Sequence, residues 1–463
     1  MTLALLLLLG AAPADVPRLE QPLSLAEVLT STRELHPQLV AARTDLDAAD
    51  GELQTAEGAF DPAWRTRVTG VPVSGYPQLR VDSIVEAPTP LWGATFFGGY
   101  RLGTGKFQSY YGERETWTGG ELRAGAAVPI LRNGPIDRRR ATQARAELGR
   151  SIAGLSLQQQ QLELDRLATL RYWDWVAAGR RRQIARELLQ IARDRDGQLE
   201  ARTRAGDVAR FDQQDNLRAL VQREALVVQA QRALEQAAFE LSLFLRDPRG
   251  APLIPSDERL PTLVEAPPAP EPEGVEEVAA RRPDVKRLLD QKRQAELELR
   301  LARNQLLPAL DVGATISKDL GASRRPDTDA LGPTELELSA VLDVPILYRA
   351  PLGRLKSASA TLAKLDAQLG LARDRVKVEL DDAQSALRAA TERLTLARRE
   401  LDVAIDLEKA ERRRFELGEG SLLFVNLREQ TTVEARLREV DALVDGHRAL
   451  AALRVALART ESK

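Results

Sequence analysis

The chain has 463 residues, with 66 Lys and Arg against 68 Asp and Glu and a formal net charge of -2. That balance gives no reason to expect nucleic acid as a partner, and no basic patch alternates with aromatics. Cysteine is absent, which excludes disulfides, thiol nucleophiles, thiolate metal sites and a lipid anchor on an N-terminal cysteine. Aromatics make up 4% of the residues, few for an enzyme core. The only histidines, His36 and His447, have no second ligand nearby in sequence and read as helix-end or helix-surface residues. No metal or cofactor is expected.

At the N-terminus, Leu3 to Leu9 form an apolar run too short to span a bilayer, followed by Ala12-Pro13-Ala14. This is the pattern of a signal peptide cleaved after Ala14, although no Lys or Arg precedes the run. No later segment has eighteen consecutive apolar residues, so a transmembrane helix is not expected.

Beyond it the chain repeats itself. Pro37 and Pro62 are spaced like Pro283 and Pro308, Val128-Pro129-Ile130-Leu131 is echoed by Val344-Pro345-Ile346-Leu347, and Gly206 by Gly418. Four landmarks in the same order indicate a duplicated helix–hairpin–helix–helix module. The copies span 15–246 and 283–463, with a Pro-rich irregular connector at 247–282.

Each copy opens on a short helix, Pro37–Phe60 or Asp284–Leu307. A very long helix follows the strands, 136–205 or 351–417, and a returning helix closes the copy, 208–245 or 422–459. From Leu362 through Leu369, Val376, Leu380, Leu387 and Leu394 to Leu407, apolar residues recur in steps of three and four, with one stutter at Val376. That is a coiled-coil seam, Leu alternating with Ala, beneath a solvated charged face. Gly206 and Gly418 suit left-handed helix ends. At 1.5 Å per residue each long helix would run roughly 100 Å.

The strands are read at 61–129 and 309–345 as one hairpin each, four strands per chain. Leu336, Leu338, Ala340, Leu342 and Val344 alternate with polar residues, as do Leu122, Ala124, Ala126 and Val128. Alternation over some ten residues fits a transmembrane β-strand, and equally a half-buried hairpin in a soluble protein. The signal peptide favours the membrane, as does the placement of ten of twenty aromatics between Asp61 and Val128, where girdles would concentrate them. A sheet in lipid can have no free edge, and four strands cannot close a barrel, so the chain must oligomerise. The first interval is also longer than the second, and Gly75–Glu115 is expected to form an enlarged external loop or a strand extension.

On these residues the sequence resembles the TolC-like outer membrane efflux proteins. The carriers are Leu25-Ala26-Glu27-Val28-Leu29 with His36-Pro37, the two Val-Pro-Ile-Leu strand exits, Arg204-Ala205-Gly206 with Asp212, Gly418 with Ser421, and Arg282-Pro283-Asp284. The fold class this implies is mostly α with a transmembrane β section. A homotrimer would form a twelve-stranded outer-membrane β-barrel above a periplasmic α-barrel of coiled-coil helices. The implied function is a passive exit duct of a tripartite efflux or secretion system. A periplasmic adaptor and an inner-membrane transporter would dock on it, and outer-membrane lipid would surround the barrel.

The resemblance also places a closing aperture at the turns between long and returning helices, here Arg204–Asp215 and Phe415–Leu427. Asp212 matches an acidic position of the family's aperture ring, and Asp215 lies one turn further. In the second copy the equivalent positions are Phe424 and Leu427, which depart from the acidic pattern. They point to a hydrophobic constriction that closes by dewetting, or to packing between neighbouring turns. The rival to a duct is a periplasmic structural coiled-coil protein of the cell envelope. It would account for the helices and signal peptide but not for the duplicated hairpins. No Gly-rich phosphate loop, nucleophile elbow or ligand cluster supports an enzyme.

Overall fold

The proline landmarks fall on element boundaries in a computed structural model that describes residues 21–107, 115–205, 210–324 and 332–459. In chain order the elements are α1 (Leu25–Leu35), α2 (Pro37–Glu57), β1 (Ala63–Val71), β2 (Gln78–Pro88), β3 (Thr95–Gly105), β4 (Glu121–Pro129), α3 (Arg138–Ala205) and α4 (Arg210–Ser242). They continue with α5 (Val275–Arg281), α6 (Pro283–Asn304), β5 (Ala309–Asp319), β6 (Thr334–Asp343), α7 (Arg349–Glu416) and α8 (Leu422–Ala456). Pro37 and Pro283 are the first residues of their helices, where the missing N–H costs nothing and the fixed φ is already helical. Pro62 and Pro308 stand one residue before β1 and β5. The expected signal peptide lies outside the described residues.

The chain folds as two units: Met1–Ala41, Gln159–Ala279 and Arg375–Lys463 form the first, Ala42–Gln158 and Ala280–Asp374 the second. Both copies of the repeat contribute to both units.

The first unit is helical. Along α7, whose residues up to Asp374 belong to the second unit, the expected seam is buried at Leu369, Val376, Leu380, Ala383, Leu387, Ala390, Leu394, Ala397 and Ala404. It frays at its ends, where Leu362 and Leu365 are half-buried and Leu407 is exposed. Leu394 and Ala397 pack with Ala442 and Leu443 of α8 and with Leu263 of the connector. The connector is therefore a strap on this unit rather than a free linker. His36 ends α1 and stacks on Phe244. His447 differs from its sequence reading as a surface residue. It is buried, stacked on Trp173 with ring centroids 3.5 Å apart, and its Nε2 lies 2.8 Å from the Val264 carbonyl. Burial holds its pKa below the ordinary imidazole value, assisted by Arg454 and opposed by the Val264 hydrogen bond.

The second unit holds a single antiparallel sheet in the order β1-β2-β3-β4-β5-β6. The expectation of four strands per chain is thus corrected to six among the described residues. The interval 61–129, read as one hairpin, contains four strands, and its surplus length is the added pair β2 and β3. Two further reversals make the difference. Pro72 to Pro77 turns the chain between β1 and β2, where the Tyr76 amide donates to Ser74 Oγ at 3.0 Å. Between β2 and β3, Trp92 and Gly93 adopt left-handed φ values of 54° and 70°. A Cβ at Gly93 would stand 2.8 Å from the Asn133 carbonyl oxygen, so the turn requires glycine.

Candidate functional site

Residues directly opposed in a sheet share a face, so the register sorts every strand residue onto one side or the other. Trp64, Val68, Val81, Val85, Phe96, Leu102, Leu122, Ala124, Val128, Val312, Ile316, Leu336, Leu338 and Leu342 fall on one face. The opposite face carries Arg65, Arg67, Arg80, Asp82, Glu86, Arg101, Glu121, Arg123, Asp311, Asp319, Glu335, Glu337 and Asp343. All six sequence-selected strand residues, Leu122, Ala124, Val128, Leu336, Leu338 and Leu342, therefore lie together on the apolar face. Sequence reading missed the contributions of β1, β2, β3 and β5. In β2 the signal was present, since Leu79, Val81 and Val85 alternate with Arg80, Asp82 and Glu86. In β3 glycine hides it, because Gly98 on one face and Gly99 and Gly103 on the other leave no side chain to alternate.

At Gly99 of β3 and Gly125 of β4 glycine is a packing requirement. A Cβ at Gly99 would meet the Ser83 carbonyl oxygen at 2.4 Å, and one at Gly125 the Phe97 ring at 2.5 Å. Phe97 thus lies over Gly125 on the charged face, with the Arg123 guanidinium 6.0 Å from its centroid. Elsewhere on this face Arg65 pairs with Glu86 at 2.9 Å, and Arg101 donates to Glu121 at 2.6 Å. The sequence-selected aromatics divide. Trp64, Phe96 and Tyr100 stand on the apolar face, Trp92 is in a turn, and Tyr110 and Tyr111 lie outside the described residues.

At the turn between α7 and α8, Gly418 has φ 77°, and the Glu419 amide donates to the Arg414 carbonyl at 2.9 Å across it. This is the left-handed C-terminal closure expected of α7. Ser421 caps α8, its Oγ accepting from the Leu423 amide at 3.3 Å. Phe424 and Leu427 are 54% and 52% exposed, with Leu417 and Leu423 exposed beside them in sequence. Within the chain Phe424 therefore does not pack away. Asp215 is half-buried, 3.6 Å from Arg218. Gly206 and the side chain of Asp212 lie outside the described residues.

Behind this end sits a cluster that sequence reading missed. Glu429 is 1% exposed, in seam register with Leu422, Val425 and Thr432. Its carboxylate accepts from Arg223 of α4 at 2.8 Å, from Arg412 of α7 at 2.9 Å and from Arg195 of α3. Asn426 adds an acceptor 2.7 Å from Arg195. Burial pushes the Glu429 carboxyl up, but the hydrogen bonds and charges of Arg195 and Arg223 outweigh it and hold the group below the ordinary carboxylate value. One acidic side chain thereby ties four helices together. The signal was a glutamate standing at a buried seam position of α8.

No group of metal-ligating side chains occurs among the described residues, and none of their helices is long and apolar enough to cross a membrane. Residues 274–459 match the sequence model of the outer membrane efflux protein family. No curated protein sequence matches the chain. Among solved structures, the chain is similar to a membrane protein from Pseudomonas aeruginosa at 16% identity and TM-score 0.66, covering 95% of this chain and 91% of that one. The outer membrane protein VceC from Vibrio cholerae aligns at 16% identity and TM-score 0.66, over 94% and 97% of the two chains. The MtrE outer membrane channel of Neisseria gonorrhoeae aligns at 15% identity and TM-score 0.66, over 94% and 89%. Such identities carry the fold rather than the details of a site. Residues 274–459 thus match the outer membrane efflux protein family, and the chain as a whole has the fold of solved outer membrane channels.

Proposed function

We propose that the protein is an outer membrane exit duct of a tripartite efflux or secretion system. The observation that carries this reading is the continuity of one apolar face across all six strands, backed by a charged face. Outer-membrane lipid would cover the apolar side and the charged side would line an aqueous lumen, as in barrels that span a bilayer. The sheet has two free edges, so the wall is completed by further copies, in a homotrimer. The duct is passive, and energy comes from an inner-membrane pump through a periplasmic adaptor docked on the helices.

The helix-turn end supplies the aperture. Asp212 and Asp215 contribute acidity from the first copy, and Phe424 and Leu427 a hydrophobic constriction from the second. The exposure of Phe424 in the single chain supports this role. Conductance of the purified protein in planar bilayers tests it, with Phe424→Ala and Asp212→Ala raising the closed-state conductance. Unchanged conductance in both variants removes these residues from the gate. Recovery of the wild-type chain as a soluble periplasmic dimer, rather than in the outer membrane fraction, would refute the duct.

A further inference from the structure

The outermost strands differ from the inner four. Every residue of β6 is exposed, as are all residues of β1 except Ala63 and Val71, whereas β2 and β3 are largely half-buried. The two edges also carry opposite charge. On the charged face, β1 presents Arg65 and Arg67 and no acid, while β6 presents Glu335, Glu337 and Asp343 and no base. Among the described residues, Arg67, Glu335 and Glu337 make no salt bridge. Like edges brought together would oppose arginine to arginine, or acid to acid, which destabilises a strand pair. Unlike edges attract, and such a head-to-tail contact closes rings.

Resting on the trimer proposed above, we propose that β6 of each copy pairs with β1 of the next, Ala63 facing Asp343. Three copies then close a barrel of eighteen strands rather than twelve. β1 runs antiparallel to β6, and this register overlaps all nine residues of β1. On the apolar face it sets Trp64 against Leu342 and Val68 against Leu338. On the charged face it sets Arg65 diagonal to Asp343 and Arg67 diagonal to Glu337, a separation of about 7–8 Å that long side chains bridge.

Barrel geometry supports the same register. Directly across the sheet, Ala63 leads through Glu86, Phe97, Gly125 and Thr315 to Glu337. Facing Ala63 with Asp343 instead displaces each copy by six residues, so three copies have a shear equal to their strand number. That corresponds to a strand tilt of about 36°, within the usual range for closed barrels. Shifting the pair so that Arg65 faces Glu337 directly would leave the strands tilted by only about 13°, outside that range. At strand spacings of about 4.8 Å and this tilt, eighteen strands enclose a lumen about 34 Å across at the backbone, against about 23 Å for twelve.

The absence of native cysteine makes the test direct. Thr66 and Ala340 face each other across the proposed junction but lie five strands apart within a chain. Oxidising the full-length Thr66→Cys/Ala340→Cys variant in outer membranes is expected to give covalent trimers. The Tyr100→Cys/Ala340→Cys variant, which would link only if β3 were the closing edge, is expected to give none. Arg65→Glu/Arg67→Glu is expected to lower the trimer fraction at least tenfold, and adding Glu335→Arg/Glu337→Arg to restore it. Trimers that link through Tyr100, or not through Thr66, overturn the eighteen-strand closure while leaving the trimer standing. A chain that stays monomeric overturns both. Class averages of the wild-type protein are a readout free of variants: a barrel about 34 Å wide supports the closure and one about 23 Å wide overturns it.

Discussion

The carboxylate of Glu429 lies 2.8 Å from the guanidinium of Arg223, although the two belong to different copies of the repeat. Both side chains are more than nine-tenths buried, and the same carboxylate also meets Arg195 and Arg412. A buried acid shared by three bases is stable only while it is charged. Replacing Glu429 by Ala is therefore expected to cost about 3–5 kcal/mol, because three arginines would be left facing one another. Arg412→Ala, at the more exposed edge of the cluster, should cost less. Thermal unfolding followed by helical circular dichroism checks the order.

Acid should loosen the same unit in two stages. His447 has a lowered pKa, so the unfolded chain takes up its proton first. Its contribution to stability is complete above the ordinary imidazole value of 6.5 and declines as pH falls below it. Glu429 is also lowered, so its contribution is present above the ordinary value of 4.5 and is lost as pH falls through its folded pKa. Denaturant midpoints measured from pH 8 to pH 3 should fall in both windows. His447→Phe should make the first window shallower, leaving the part owed to His36, whose pKa burial and Arg246 also lower, and should leave the second unchanged.

The two sheet faces should respond oppositely to charge. Ile316→Arg places a cation on the apolar face of a central strand and is expected to cost about 2–4 kcal/mol if that position meets the bilayer midplane. Thr315→Arg, one residue away on the charged face, should be tolerated. The yield of folded protein in the outer membrane fraction measures both, and equal losses would argue against a lipid-facing assignment.

Glycine in β3 and β4 should resist substitution. Gly99→Val would press a side chain against the Ser83 carbonyl and Ile84, and Gly125→Val against the Ala314 carbonyl and Phe97. Overpacking of this kind costs about 1–3 kcal/mol. Gly51→Val, on α2, meets nothing within 4 Å and is a control for β-branching alone. Protease resistance of the sheet would register the difference.

Much of this protein was written along the chain. Period, together with proline-free stretches ending at glycine, gave the long helices as 136–205 and 351–417, against Arg138–Ala205 and Arg349–Glu416 in the fold, because a seam of Leu and Ala at three–four spacing has one way to bury itself. Proline marked the starts of α2, α6, β1 and β5, since it fits where no backbone donor is needed. Period-two alternation placed Leu122, Ala124, Val128, Leu336, Leu338 and Leu342 on one face without any knowledge of the register. What alternation could not decide was the number of strands. In β3, glycine leaves no side chain to alternate, and at Gly99 the reason for glycine is the close approach of β2, which only the folded sheet contains. The Glu429 cluster lay equally out of reach, because its arginines come from α3, α4 and α7, far apart in sequence. Local pattern fixes which side of an element is buried, while the identity of the partner across the gap, and hence the strand count and the charge pairing, is settled by tertiary packing.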